Sequence, residues 1–542
     1  RNAELPEDRK MEFRIGVNLG DVIHEEERIY GDGVNVAARL ESLADPGGIC
    51  VSGTVFDQIE SKLPLGYEFL GEQSVKNIPK PVRIYKALMD PEVVGKVIGE
   101  KRAEPRRGLK VALAVVTALL LIVGGLLIWR TAFPPVEVAS VEKMAFPLPD
   151  RPSIAVLPFT NLSDDPKQEY FSDGLTEEII AALSSVPKLF VIARNSTFTY
   201  KGKPVKVQQV SEELGVRYVL EGSVRKAGDK IRVTAQLIDA LNGHHLWAER
   251  YDRNLSDIFS LQDEITKKII SAMQVKLTEG EQVRVAARGT DNLKAYLKCL
   301  QSKEYLLKGN PESNALGKQL AEEAIALDPE YAFAYRELSA AHMMDVWLRS
   351  SKSPKASTAK AIELVQQAIV LDDTFAEAHG WLGFLYSMTK QYDQGIAQAE
   401  KAVALNPNSA ESHYRLGKTL SLAGRWEESI PEFEKAMRLN PIPPNMYLWS
   451  LGMSYWGMGQ YEEAIPWGKK AVRQEPNSLL ARVWMAAIYV SSGREEEARA
   501  EAAEVLRINP KFSVKKYEKR AAFKKKEDNE RYIAALRKAG LT

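Results

Sequence analysis

The feature that most constrains the fold is an uncharged run of nineteen residues, 111–129 (VALAVVTALLLIVGGLLIW), with Lys110 before it and Arg130 after it. At 1.5 Å per helical residue the run is about 28 Å long, close to the roughly 30 Å of a bilayer core. A buried globular helix is the alternative, but a helix that is apolar on every side and charged at both ends favours a membrane span. The sequence therefore predicts a transmembrane helix over 111–129.

The charges on the two sides of this run predict its orientation. Six basic residues lie in the juxtamembrane linker 93–110, whereas the Pro-rich linker that follows over 130–150 contains only two, Arg130 and Lys143. Lys and Arg are enriched in cytosolic flanks, so we expect the N-terminal part to be cytosolic. In a bacterium this orientation gives a single-pass inner-membrane protein whose C-terminal part is periplasmic.

Length, charge and cysteine count limit the remaining possibilities. A chain of 542 residues is too long for one core, and we expect three or four units. Lys plus Arg number 73 against 72 Asp plus Glu, so we expect no nucleic-acid partner. Cys50 and Cys299 lie far apart and outside any CxxC motif, which predicts free thiols. The chain opens at Arg1 rather than Met, and we expect that it begins inside a longer gene.

The segment before the membrane run has a strand–turn–helix pattern. Residues 12–20 (EFRIGVNLG) predict a strand, and YGDGVNVAARLESLADPGG predicts a Gly-rich turn, a helix and a Pro-Gly stop. Asn35 and Arg39 are four residues apart and share one helical face. A guanidinium beside an amide suits the charge of a transferring phosphoryl group. A solvated helix face explains the same spacing, so the pattern alone leaves both interpretations open.

Four blocks in this order resemble a known enzyme family: FRIGVNLGDVI, IYGDGVNVAARLE, PGGICVSGTVFDQI and LGEQSVKNIPKPVRIYKAL. They are similar to the C-terminal half of a class III adenylate/guanylate cyclase catalytic domain. The resemblance implies a partial α+β, ferredoxin-like domain over 1–92. It also implies transition-state roles for Asn35 and Arg39. Lys76 corresponds to a substrate-binding lysine, and Arg28 stands at the base-selecting position, where the family has a carboxylate, Ser or Thr.

The resemblance also implies cofactors and partners. The intact family domain uses Mg²⁺ or Mn²⁺ and ATP or GTP, and it works as a head-to-tail dimer in which one subunit supplies metal ligands and the other supplies the Asn and Arg. The family's two metal-binding aspartates belong to the first half of the domain. We therefore expect no metal bound by ligands of this chain and no turnover by this chain alone. Complementation by an intact partner would restore the site.

Strand and helix patterns alternate over 151–285, which predicts an α/β domain. AGD between two strand patterns predicts a hairpin turn, and Asp173, with Glu177 four residues later, predicts a helix N-cap and a first-turn acid. IAVLPFTNLSDDPKQEYFSDGLTEEI, VIARNSTFTYKG and RYVLEGSVRKAGDKIRVTAQLIDALNGHHLWAERYDR resemble the TolB-like N-terminal domain of bacterial regulators. His244 and His245 lack further ligand residues nearby, so we expect no metal there.

The C-terminal part is periodic. Asp373, Pro407, Pro441, Pro476 and Pro510 are separated by 34, 34, 35 and 34 residues, the spacing of tetratricopeptide repeats. This pattern predicts an all-α solenoid whose concave face holds a protein or peptide, although a solenoid that only spaces or dimerises remains an alternative.

The ends of the repeat array, and one insertion within it, depart from the regular spacing. We place the repeats over 290–512, expect about five units with an insertion around 350–357, and interpret the basic tail 513–542 as a capping helix with solvated charges.

Together these features predict a membrane-bound signalling cyclase whose extracytoplasmic repeats bind a partner and bias dimerisation of the catalytic domain. The alternative is a non-catalytic receptor or scaffold with a degenerate cyclase-like piece. ATP and GTP are not distinguished by the sequence.

Overall fold

The computed structural model describes residues 11–25, 28–74, 81–99, 138–278, 289–520 and 523–542. The chain divides into two compact units, Arg1–Ala132 and Phe133–Thr542. The predicted membrane helix over 111–129 lies outside the described residues. Within the described residues, no helix is both long enough and apolar enough to cross a bilayer.

The described residues of the first unit form a mixed sheet with two α-helices. Its elements are β1 (Ile15–Val17), β2 (Ile23–Glu25), β3 (Arg28–Tyr30), α1 (Asp32–Leu43), β4 (Ile49–Ser52), α2 (Gly53–Ile59), β5 (Gly66–Gln73), β6 (Val82–Leu88) and β7 (Val97–Ile98). The strand order is β1-β4-β6-β5-β7, and β2 and β3 form a separate hairpin. β1 is parallel to β4 and β5 to β7, whereas β6 is antiparallel to both its neighbours. The predicted α+β character is therefore present, and β1 is shorter than the predicted strand.

Each helix of this unit covers part of the sheet with apolar side chains. Val36 and Leu40 on α1 are buried with Cys50 and Ile84. On α2, Phe56 stacks on Tyr85 of β6 with ring centres 3.8 Å apart. Because α1 buries one stripe, its opposite stripe faces solvent.

The second unit begins with an α/β module. Its elements are β8 (Ser153–Val156), β9 (Thr160–Asn161), α3 (Glu169–Ser184), β10 (Phe190–Val191), α4 (Arg194–Thr197), α5 (Val207–Leu214), β11 (Tyr218–Ala227), β12 (Lys230–Asp239), β13 (His244–Asn254) and α6 (Ile258–Ala272). The sheet order is β10-β8-β11-β12-β13, with β9 beside β11. β8 is buried along its whole length and is parallel to β10 and β11. The predicted alternation of strands and helices is confirmed.

Two local predictions in this module have opposite outcomes. Gly228, with φ of 58°, lies in the turn between the antiparallel strands β11 and β12, so the predicted hairpin is confirmed. The predicted N-cap at Asp173 is wrong, because α3 already begins at Glu169. A 3-10 turn capped by Asp165 precedes α3, and Asp173 instead pairs with Lys201, with Oδ1 2.6 Å from Nζ.

The remainder of the second unit is helical. Its helices are α7 (Leu293–Leu307), α8 (Pro311–Leu327), α9 (Ala332–Trp347), α10 (Pro354–Leu371), α11 (Ala376–Met388), α12 (Tyr392–Leu405), α13 (Ala410–Leu422), α14 (Trp426–Leu439), α15 (Asn445–Gly457), α16 (Tyr461–Gln474), α17 (Leu479–Ser491), α18 (Glu495–Ile508), α19 (Val514–Arg520) and α20 (Lys526–Lys538). Each helix from α7 to α18 packs against its pair partner, and consecutive pairs stack on one another. The predicted solenoid is confirmed.

Three details of the solenoid differ from the prediction. The described residues from Leu293 to Ile508 form six helix pairs rather than about five. The expected insertion is a short loop, because Pro354 already begins α10. The tail forms two helices, and α20 packs back against α17. Close crossing within a pair depends on small residues, since a Cβ at Gly383 of α11 would lie 2.7 Å from the carbonyl oxygen of Gly395.

The α/β module is attached to the repeats through buried polar contacts. The Asn408 amide, between α12 and α13, donates to the carbonyl oxygens of Ser184 (3.2 Å) and Val186 (2.9 Å). Between α14 and α15, the Asn440 amide oxygen accepts from the Ser196 hydroxyl at 2.5 Å. These bonds join two turns between repeat pairs to the module.

Candidate functional site

The N-terminus of α1 is held by a Gly-rich loop. Gly31 has φ of 137°, a conformation open mainly to glycine, and its carbonyl oxygen accepts from the backbone N–H groups of Val34 and Asn35 at 3.1 Å. The Asn18 amide, just after β1, donates to the Gly33 carbonyl oxygen at 3.2 Å. The loop after β1 and the first turn of α1 therefore form one rigid corner.

Gly16 sets the position of α1 on the sheet. A Cβ at this residue would overlap the carbonyl oxygen of Ala37 and the backbone nitrogen of Glu41. The helix backbone therefore lies directly on β1, with no room for a side chain between them. This contact fixes which face of α1 points away from the sheet.

Asn35 and Arg39 lie on that outward face. Both side chains are exposed, whereas Val36 and Leu40, about 100° around the helix, are buried. The structure therefore places the two predicted catalytic residues together on one accessible stripe of a rigid helix. A stripe of this kind presents its guanidinium and amide outward, toward a molecule or chain that docks against the helix.

A separate cleft of about 710 Å³ opens beside the N-terminus of α1. It is lined by Asn18, Leu19, Gly20, Asp21, Gly31, Asp32, Gly33, Val36, Gly53, Thr54, Glu72, Pro81, Val82 and Arg83. Arg83 is the cationic member, and its Nη2 donates to Asp57 Oδ2 at 2.6 Å. That hydrogen bond raises the pKa of Arg83 above its usual range. Neither Asn35 nor Arg39 lines the cleft.

Sequence reasoning missed Gly16 and Arg83. Both fall inside blocks that carried the family resemblance, but neither has a local pattern that reveals its role. The importance of Gly16 becomes visible only in the packing of α1 on β1. The place of Arg83 in the cleft becomes visible only because β6 borders that cleft.

Residues 1–86 match the adenylate and guanylate cyclase catalytic domain. Tetratricopeptide-repeat models match residues 376–409, 399–430 and 455–516. The chain therefore combines cyclase catalytic-domain sequence with tetratricopeptide repeats. Residues 150–268 match the family described as "HilA/YgeH-like transcriptional regulator, second domain". The TolB-like resemblance of this module stays a prediction.

The chain is similar to proteins known from their sequences and to proteins of solved structure. A protein of Rhizobium meliloti (strain 1021), provisionally named adenylate cyclase 3, is 40% identical over 393 residues, which are 72% of this chain and 60% of the relative. The chain thus spans about three fifths of that relative's length. A solved adenylate/guanylate cyclase/hydrolase from Silicibacter pomeroyi is 41% identical and matches 17% of this chain and 53% of its own, with a TM-score of 0.16. YrrB, a solved TPR protein with an unusual peptide-binding site, is 21% identical over 35% of this chain and 93% of its own, with a TM-score of 0.26.

Of the two predicted substrate-binding residues of the cyclase part, the structure describes the position of Arg28 but not that of Lys76. Arg28 lies in β3, opposite Glu25 in the register of the β2–β3 hairpin. Lys76 lies outside the described residues. The roles of both residues, and those of Asn35 and Arg39, stay predictions.

Among the described residues, the acids of the cyclase part do not provide the ligand set of a metal site. Asp21, Asp32 and Glu72 line the cleft, yet the described residues contain no group of three or more His, Cys, Asp or Glu side chains that could hold a metal ion. The Mg²⁺ or Mn²⁺ of the cyclase family therefore does not fit the ligands described in this chain. His244 and His245 lie at the start of β13 and belong to no such group.

The first helices of successive repeat pairs carry cations over aromatic rings. Arg415 of α13 lies 4.6 Å from the centre of Trp381 on α11, and its Nη2 is 2.6 Å from Glu411 Oε1. On the next turn, Lys418 Nζ lies 4.3 Å from the centre of Trp449 on α15. Burial lowers the pKa of Lys418 to about 7. Aromatic side chains and arginine are enriched at protein-binding surfaces, whereas lysine is depleted there.

Proposed function

We propose that this chain supplies the Asn–Arg half of the active site of a membrane-bound class III nucleotide cyclase, and that its repeats bind a protein that regulates the enzyme. The observation that carries this proposal is the match of residues 1–86 to the cyclase catalytic domain, together with the shared outward face of Asn35 and Arg39. The relative that is 40% identical over 393 residues supports it.

The chemistry follows from the two side chains. Cyclisation of a nucleoside triphosphate builds negative charge on the reacting phosphorus group and on the departing pyrophosphate. A guanidinium at Arg39 would stabilise that charge, and the Asn35 amide would orient the sugar or phosphate. Since both groups point outward, the substrate lies between this face and a second cyclase subunit. The Mg²⁺ or Mn²⁺ of the reaction is held by that partner's residues.

ATP is the substrate we propose to test first, because the 40% identical relative is provisionally named an adenylate cyclase. GTP is the second candidate, since Arg28 occupies the base-selecting position and carries neither the carboxylate nor the hydroxyl of the family pattern. A cation cannot accept hydrogen bonds from a purine amine. Base selection here therefore depends on other groups or on the partner.

The predicted location completes the proposal. The uncharged run 111–129 would anchor the chain in the inner membrane, with the cyclase part in the cytosol and the TolB-like module and repeats in the periplasm. Binding of a protein or peptide to the repeats would then bias dimerisation of the cyclase part.

The test is complementation. This chain is co-expressed with a full-length class III cyclase whose own Asn and Arg are replaced by Ala, and cyclic AMP and cyclic GMP are measured. We expect synthesis with the unmodified chain, a loss of at least a hundredfold with Asn35→Ala or Arg39→Ala, and no loss with Glu41→Ala, an exposed control on the same helix. No synthesis with the unmodified chain, at verified expression, would favour the non-catalytic scaffold.

A further inference from the structure

The C-terminal helix α20 covers a row of three tryptophans. Trp426, Trp456 and Trp484 come from the fourth, fifth and sixth helix pairs, and each is no more than 6% exposed. Tyr532 of α20 stacks on Trp484 with ring centres 4.4 Å apart, and Phe523 meets the edge of Trp426 at 5.2 Å. We call this surface the tryptophan groove.

Polar contacts fix the register of the segment 523–542 in the groove. The indole N–H of Trp426 donates to Asp528 Oδ2 at 3.1 Å. Arg531 donates to the Gly457 carbonyl oxygen at 3.0 Å, and its guanidinium carbon lies 4.1 Å from the centre of Trp456. Each tryptophan of the groove thus meets a specific side chain of the segment.

Charge complementarity runs along the rim of the groove. Residues 523–542 contain six Lys and Arg against three Asp and Glu. Lys524 Nζ lies 2.7 Å from Asp393, at the turn of the third pair, and Lys538 Nζ lies 3.0 Å from Glu495, at the turn of the sixth. All four of these side chains are exposed, so the two ion pairs lie outside the core and favour a basic segment at the rim.

The position of α20 differs from that of an ordinary cap. A capping helix would continue the stack beyond α18, whereas α20 packs on α17 and its segment reaches back to the turns of earlier pairs. The backbone N–H of Lys524 donates to the Leu422 carbonyl oxygen at 2.8 Å, in the fourth pair. A helix of thirteen residues is about 20 Å long, enough to cross these pairs.

We propose that the tryptophan groove is a binding site for a basic amphipathic helix of a protein partner, and that the chain's own segment 523–542 occupies it until such a helix displaces it. The partner segment would present one aromatic residue just before its helix and a second within the helix, as Phe523 and Tyr532 do, with an Arg between them. Binding of the partner helix to the groove would then release the chain's own segment 523–542. This inference rests on the proposed role of the repeats as a protein-binding region.

The test uses the full chain with a protease site inserted between α19 and Phe523, cleaved after folding. A fluorescent synthetic peptide of residues 523–542 is then added, and binding is followed by anisotropy. We expect saturable exchange into the cleaved chain, at least tenfold weaker binding to the uncleaved chain, and a further loss of at least tenfold with a peptide carrying Tyr532→Ala. Trp484→Ala should remove exchange, whereas Trp347→Ala, outside the groove, should not.

Three outcomes would overturn the proposal. They are no exchange at all, a loss of helical circular dichroism larger than the thirteen residues of α20 account for when the cleaved segment leaves, and tail-dependent dimers of the uncleaved chain, which would assign the groove to a second copy. The assay contains no nucleotide, so its failure leaves the proposed roles of Asn35 and Arg39 to be decided by complementation alone.

Discussion

The guanidinium carbon of Arg438, near the end of α14, lies 4.4 Å from the centre of the Phe190 ring in β10. Its Nη2 also donates to the carbonyl oxygens of Gly215 (3.0 Å) and Pro147 (2.8 Å). Burial lowers the pKa of Arg438 to about 10. One side chain of the fourth repeat pair thus joins three segments of the α/β module, so the repeats and the module should unfold together.

Arg438→Met tests this coupling. The substitution removes the donors and leaves carbonyl oxygens at the interface without their partner, at a cost of about 2 kcal/mol. We expect the single unfolding transition in urea to split into two. Tryptophan fluorescence reports mainly on the repeats, which hold seven of the nine tryptophans, and circular dichroism reports on both parts. Arg473→Met is the control, because Arg473 lies at the matching place in α16 and is exposed. Unsplit, unshifted curves for Arg438→Met would contradict the coupling.

Glu177 connects the module to the first repeat pair. Its carboxylate is 2.5 Å from Lys303 Nζ of α7 and also pairs with Arg194. Lys303→Met leaves this largely buried carboxylate with one cation, which should cost about 3 kcal/mol of unfolding free energy in urea titrations at pH 7. Lys298→Met is the control on the same helix, because its ion pair with Glu323 is more exposed. Equal losses in the two variants would contradict a special role for Lys303.

The same carboxylate predicts a pH dependence. Burial alone raises the pKa of Glu177, but the charges of Lys303 and Arg194 outweigh it, and the folded-state pKa lies below the ordinary 4.5. The unfolded chain therefore takes up this proton first, and the stability that Glu177 contributes is present above about pH 4.5 and is lost as pH falls through the folded pKa. Glu177→Gln should flatten the fall in unfolding free energy between pH 5 and pH 3, whereas Glu142→Gln, at an exposed site, should leave it unchanged.

Gly16→Ala tests the positioning of the candidate catalytic face. The added methyl group would overlap backbone atoms of Ala37 and Glu41, so α1 must shift or detach, at a cost of about 3 kcal/mol. Gly47→Ala is the control, since a Cβ there meets nothing within 4 Å and only its φ of 78° is unfavourable. Hydrogen exchange of α1 amides should accelerate in the first variant far more than in the second. Equal protection in both would mean that α1 is not seated on Gly16.

Local patterns predicted the elements whose signals repeat or alternate. The repeat period located the helix pairs because each pair needs small residues where its helices cross, such as Gly383 and Gly395. The strand–turn–helix around Asn35 was predictable because glycine, a short strand and an amphipathic helix are adjacent in sequence. The number of pairs was not, because α7 packs partly on α3, where Gly174 contacts Leu300, and so departs from the repeat pattern.

Contacts between distant residues were beyond the reach of sequence patterns. Trp426 and Asp528 are in contact although they are 102 residues apart in sequence. The local sequence of the tail is therefore the same whether its charges are solvated or its helix fills a groove. Likewise, Asp173 resembled an N-cap because it precedes an apolar run, but Pro166 had already started the preceding turn. The candidate catalytic face was predicted from family motifs, whereas the Gly16 contact that orients it required the packing of α1 on β1.

Lys418 supplies the last prediction. It is 8% exposed, and the contacts of its Nζ among the described residues are to weakly accepting groups, the Trp449 ring and Met453 Sδ at 3.7 Å. Burial of the charged form lowers its pKa from 10.5 to about 7. Below about pH 7 both folded and unfolded chains are protonated there, and the full cost of burying the charge applies. Between pH 7 and 10.5 the folded chain loses the proton first, so this cost declines as pH rises.

Lys418→Met should therefore stabilise the chain at pH 6, by about 3 kcal/mol, and the gain should shrink steadily toward pH 10. The measurement is a series of urea titrations from pH 6 to pH 10 on both proteins, with Lys401→Met as the control because Lys401 is exposed. A gain that is the same at every pH would show that better packing of Met, and not removal of a buried charge, is responsible. A loss of stability at pH 6 would show that the cation over Trp449 stabilises the fold.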